Sequence, residues 1–72
     1  MQTVSSTYLD TLLDERKILR RAIADGDDLA TLSRDMLANA EATLALGWSG
    51  PMLDSMRAGR DFWRLQVKKY PA

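Results

Sequence analysis

Chemistry on this chain has to come from carboxylates, lysine, serine or tyrosine, because its 72 residues contain no histidine and no cysteine. Those two side chains supply most proton transfer near neutral pH and most zinc, haem and iron–sulfur ligation. Carboxylates one helical turn apart do occur at Asp10 and Asp14, with Lys17 and Arg21 beside them on a polar face. A pair in that setting is solvated surface. A chain this short also offers little of the concavity that excludes water and shifts pKa values at an active site. The expectation is a protein that is not an enzyme and has no cofactor, no metal and no small-molecule substrate.

Two glycine-centred segments invite ligand-binding readings. Asp25-Gly26-Asp27-Asp28 lacks the alternating ligand order and the distant bidentate glutamate of a calcium loop, and capping and turn chemistry account for it better. Gly47-Trp48-Ser49-Gly50-Pro51 has neither the length nor the lysine and hydroxyl of a phosphate-binding loop. A third pattern is basic. Arg57, Arg60, Arg64 and Lys68 recur at spacings of three, four and four, which on a helix makes one cationic edge about 80° wide. Such an edge suits phosphate or an acidic protein face. Asp61 borders it, and residues 1–48 carry 8 acidic and 5 basic residues against 2 and 5 in residues 49–72. Those acids favour an ordinary solvated helix surface over a DNA recognition helix, so nucleic acid is not the expected partner.

The elements that carry these residues follow from hydrophobic spacing and punctuation. Tyr8, Leu12, Leu19 and Ile23 fall within about 60° on a helix and define its core face. Ser6 or Thr7 is the expected N-cap, with Thr7 and Asp10 spaced like a capping box. Gly26 fits the left-handed position just past the helix end. Asp27 or Asp28 can cap a second helix, whose broad stripe of Leu29, Leu32, Met36, Leu37, Ala40, Thr43 and Leu44 suits contact with two neighbours. Gly47 ends it. Pro51 opens a third helix with Ser49 or Gly50 as cap, and Lys68 and Lys69 complement its negative end. Its core face is Met52, Met56, Trp63, Val67 and Tyr70, with Gly59 on the same side as a point of close backbone approach. The expected fold is all-α, a small antiparallel up-down-up three-helix bundle with helices over about 8–24, 28–46 and 51–69. Residues 1–72 form a single helical domain in which 1–6 are a flexible N-terminal tail.

Composition bounds the setting. The chain is 46% hydrophobic and 28% charged, too apolar for disorder. It is also near the size at which one core is only marginally sufficient, so association with another chain, a homo-oligomer or a heterologous partner, is a natural source of added stability. Ten basic and ten acidic residues cancel, and the pI near 6.1 argues against non-specific attraction to nucleic acid or anionic lipid. The N-terminus has neither a basic start nor an apolar run, and no stretch approaches membrane-spanning length. A soluble, cytoplasmic chain is expected.

Several apolar residues fall off the core stripes. With Trp63 facing inward, Ala58, Phe62 and Leu65 lie roughly 100° to 160° away on a second side of the third helix, and Ile18 is similarly displaced on the first. Either that second side is a protein interface anchored by Phe62, or the third helix sits in the middle of the packing and buries both sides. Trp48 in its glycine-flanked turn either plugs the open end of the bundle or projects towards another chain. The run Arg60-Asp61-Phe62-Trp63-Arg64-Leu65-Gln66-Val67 resembles the aromatic-basic last helix of some short bacteriophage head-to-tail joining proteins. The likeness covers under a fifth of the chain and implies a virus-encoded accessory or structural protein. The expected function is a non-enzymatic helical interaction module, an adaptor, inhibitor, chaperone or assembly factor. Its partner-binding residues are Trp48, Arg57, Ala58, Arg60, Phe62, Arg64, Leu65 and Lys68. The alternative is a small DNA-binding regulator using the basic stripe.

Overall fold

The computed structural model describes residues 5–71 and contains three helices, α1 (Ser6–Asp25), α2 (Leu29–Leu44) and α3 (Gly50–Lys69), with no strand among the described residues. The expected all-α, up-down-up three-helix bundle forms. α1 begins two residues before Tyr8: the Ser5 hydroxyl oxygen, not Ser6 or Thr7, accepts the Tyr8 N–H at 3.4 Å. Of the tail expected over 1–6, residues 1–4 lie outside the described residues, while Ser5 and Ser6 are the cap and first residue of α1.

Gly26 ends α1 in the left-handed conformation, φ +74°. Its N–H reaches the Ile23 carbonyl at 3.2 Å, and the Asp27 N–H reaches Ala22 at 3.0 Å, the paired bonds of a Schellman turn that satisfy carbonyls left open at a helix end. Asp28 then caps α2, accepting from the Ala30 and Thr31 N–H groups at 3.1 and 3.2 Å and from the Thr31 hydroxyl at 2.8 Å. The Thr31 hydroxyl and N–H favour the ionised form, so the Asp28 carboxyl is held below its ordinary range.

α2 stops at Leu44, two residues earlier than expected, because Ala45, Leu46 and Gly47 turn back to donate to the Glu41, Thr43 and Leu44 carbonyls, each at 3.1 Å. Gly47 takes φ +87°. The Trp48 indole N–H also donates to the Thr43 carbonyl, so this tryptophan folds back on the end of α2 and is half-buried. α3 opens with Gly50 and Pro51 behind Ser49, and Lys68 and Lys69 occupy its last turn, where cations meet the negative end of the dipole.

The helices are not packed equally. α3 lies against both α1 and α2, whereas α1 and α2 scarcely touch. As the shared helix, α3 must bury two sides, and its Ala58, Gly59 and Trp63 are all buried. Ala58 is 0% exposed, which removes it from the free second side on which it was expected. The reason lies in its neighbours. One turn either way along α3, Ser55, Asp61 and Phe62 all line or bond to α1, so α1 is the helix that covers Ala58.

The fully buried core is small. Among the described residues its apolar members are Leu19, Ala22, Ala58 and Trp63, joined by Ser33, whose hydroxyl donates to the Leu29 carbonyl at 2.6 Å. Tyr8 and Leu12 are half-buried. Ile23 and Met52, expected on core faces, stay about half exposed at 51% and 49%, each in a terminal turn of its helix, at the ends of the bundle. Gly59 does not admit a neighbouring backbone. The nearest group to a Cβ there is the Glu15 Oε1 atom, at 3.5 Å.

Candidate functional site

One side of α1 carries Tyr8, Thr11 and Glu15 at spacings of three and four, a single helical stripe, and all three turn towards α3. The Tyr8 hydroxyl donates to Asp61 Oδ2 at 2.8 Å, Thr11 Oγ1 and Ser55 Oγ share a hydrogen bond of 2.8 Å, and the Trp63 indole N–H donates to Glu15 Oε2 at 3.1 Å. Glu15 was not legible as an inward residue. The signal that points to it is the demand of a buried indole N–H for an acceptor. The bond to Asp61, burial and the Asp61 charge together raise the Tyr8 pKa above its ordinary value. For Asp61, burial acts to raise the pKa, but hydrogen bonds from Tyr8 and Arg60 and the charges of Arg60 and Arg64 outweigh it and hold the carboxyl below its ordinary range.

Along the outer edge of this seam, α1 and α3 diverge into a groove of about 350 Å³. Leu12, Leu13 and Arg16 line it from α1, and Asp61, Phe62, Leu65 and Gln66 from α3. Leu13 is 56% exposed and Leu65 64% exposed, while Phe62 between them is half-buried and held edge-on against Trp63, with ring centroids 4.9 Å apart at 86°. Two exposed leucines around an anchored aromatic ring make an apolar surface that water covers poorly.

The expected binding residues divide accordingly. Phe62 and Leu65 come together in the groove. Arg57, Arg64 and Lys68 are exposed on α3, but Arg60 is engaged with Asp61 through contacts of 3.0 Å. Ala58 is buried, and Trp48 is spent on capping α2 rather than projecting. Leu13 and Arg16 were missed because the α1 stripe was read as one apolar band, and a second apolar pair at Leu9 and Leu13, 49% and 56% exposed, lies beside it. No group of three or more potential metal ligands occurs among the described residues, and no described helix is long and apolar enough to cross a membrane. No protein-family model matches the chain, and no curated protein or solved structure is significantly similar to it.

Proposed function

We propose that this chain is a non-enzymatic helical interaction module of the adaptor, inhibitor, chaperone or assembly-factor kind, and that it binds another protein chain in the groove between α1 and α3. The observation that carries this reading is the apolar surface at Leu13, Phe62 and Leu65, contributed by two helices and left open in a domain whose buried core is small. Apolar area of this kind around an aromatic anchor is where binding energy concentrates in protein interfaces. The occupant is an apolar segment with acidic flanks, because Arg16 lines the groove and Arg64 and Lys68 lie on either side of Leu65 along α3, all three exposed. An accessory or structural role in a larger assembly, including a virus-encoded one, falls within this reading. What weighs against α3 as a DNA recognition helix is its position between two other helices and the engagement of Arg60 by Asp61.

A photo-crosslinking side chain placed at Leu13 or Leu65 in the producing cells tests the reading. It is expected to give discrete protein adducts, and the same group at exposed Arg34 on α2 is expected to give none. Leu65→Asp is expected to weaken the association behind the Leu13 adduct by about tenfold or more. Equal crosslinking from Arg34, or none from the groove, would remove the proposal.

A further inference from the structure

We infer a second site, independent of the apolar groove: the cleft between α1 and α2, floored by α3, receives a primary alkylammonium group on the Glu15 carboxylate. The cleft exists because α1 and α2 scarcely touch, and all three helices line it with a volume of about 180 Å³. Ten residues form its walls, and Glu15 is the one charged residue among them. A carboxylate offers roughly four acceptor positions. Among the described residues its one hydrogen bond is the one accepted from Trp63, and the ion pairs run elsewhere, between Arg21 and Asp25 and between Arg60 and Asp61. Oε1 faces the bare floor at Gly59.

The lining selects the ligand. A negative charge in a partly desolvated cleft favours a cation and disfavours an anion. One carboxylate without companion acids is a poor ligand set for calcium or magnesium, which take six or more oxygens, and the cleft offers no histidine or cysteine for zinc. A guanidinium binds best as a fork on both carboxylate oxygens, and the Trp63 indole already takes one of the acceptor positions of Oε2. An ammonium needs a single strong acceptor and other oxygens for its remaining protons, and the Thr11, Ser55 and Asn39 side chains line the same cleft. Met36 and Met56 supply an adaptable apolar wall for an alkyl stem. The volume slightly exceeds the roughly 150 Å³ of a cavity that takes benzene, which limits the bound portion to a short amine or the end of a lysine side chain.

The indole N–H of Trp63 reports on Glu15 directly. In a ¹⁵N-labelled chain, with Trp48→Phe used to assign the two indole resonances, n-butylammonium is expected to shift the Trp63 signal saturably at constant ionic strength, and n-butanol is not. Glu15→Gln keeps an amide oxygen for Trp63 but loses the charge, and is expected to weaken binding by about tenfold or more. Gly59→Ala serves as the second variant. Its methyl stands in ordinary contact 3.5 Å from Oε1, so the helix is kept while the approach to that oxygen narrows and affinity falls. A blocked lysine peptide that binds as the free amine does identifies a partner's lysine as the source; response to n-butylammonium alone identifies a free amine. A Trp63 resonance that does not saturate, that responds to n-butanol equally, or that responds equally in folded Glu15→Gln and Gly59→Ala overturns the proposal.

Discussion

The two sides of α3 are held by different physics. Towards α1, three cross-helix hydrogen bonds join Tyr8 to Asp61, Thr11 to Ser55 and Trp63 to Glu15. Towards α2, no side-chain hydrogen bond crosses among the described residues. The buried polar side chain of α2, Ser33, is 0% exposed and bonds within its own helix. Hydrogen bonds at partly solvated sites contribute about 0.5–1.5 kcal/mol each and fix geometry, whereas close packing contributes through area and tolerates no added bulk. α1 is therefore held in register by these bonds together with its buried Leu19 and Ala22, and its outer edge with α3 is where apolar surface stays open. α2 closes the other side.

The largest expected effect erases the difference between the sides. Trp63 is 1% exposed and lines the cleft shared by all three helices. Trp63→Ala is expected to cost about 3–5 kcal/mol, comparable to everything a core of this size supplies, and circular dichroism should show an unfolded chain at room temperature. Next, Ser33→Leu probes the α2 side alone: overpacking there should cost about 1–3 kcal/mol in urea denaturation, whereas Ser33→Ala should be near neutral because the hydroxyl serves only its own helix.

The polar side responds less strongly, and to pH. Tyr8→Phe should cost about 0.5–1.5 kcal/mol. The folded Asp61 carboxyl titrates below its ordinary range. Its contribution is therefore complete above the unfolded carboxylate pKa and is lost as pH falls through the lower folded value. Tyr8 is raised, so its contribution is complete below its ordinary pKa and is lost as pH rises through the higher folded value. The stability gap between the wild-type chain and Asp61→Asn should thus be flat from about pH 5 to 9 and close below about pH 4. One modest effect has the opposite sign. Gly59→Ala, in mid-helix with space for the methyl, should stabilise the fold by about 0.5–1 kcal/mol.

Much of this architecture was legible in the residues, and what was not has a common cause. Gly26, Asp28, Gly47 and Pro51 act on the backbone within a few residues of themselves, so turns and caps follow from type and position alone. Helical spacing also placed Trp63 inside. Spacing measures angles around one helix, however, and is silent about which neighbour stands at each angle. Ala58, Phe62 and Leu65 share one angular sector of α3, but that α1 covers Ala58 and leaves Leu65 64% exposed is a fact about a partner element. Glu15 is the same lesson in polar form. A carboxylate reads as surface until the indole it must satisfy is placed opposite it. Trp48 was equally open, since a glycine-flanked turn can point either way until the end of α2 is placed within reach of the indole N–H, which donates to the Thr43 carbonyl.

Native-state hydrogen exchange, resolved by residue, tests the unequal attachment of the two flanking helices most directly. If α1 is latched by a few hydrogen bonds and α2 is closely packed, α1 amides should exchange through an opening at least about 1 kcal/mol below that of α2 and α3. Filling the groove with a bound partner should slow α1 selectively. Equal protection of α1 and α2, or earlier opening of α2, would contradict the account.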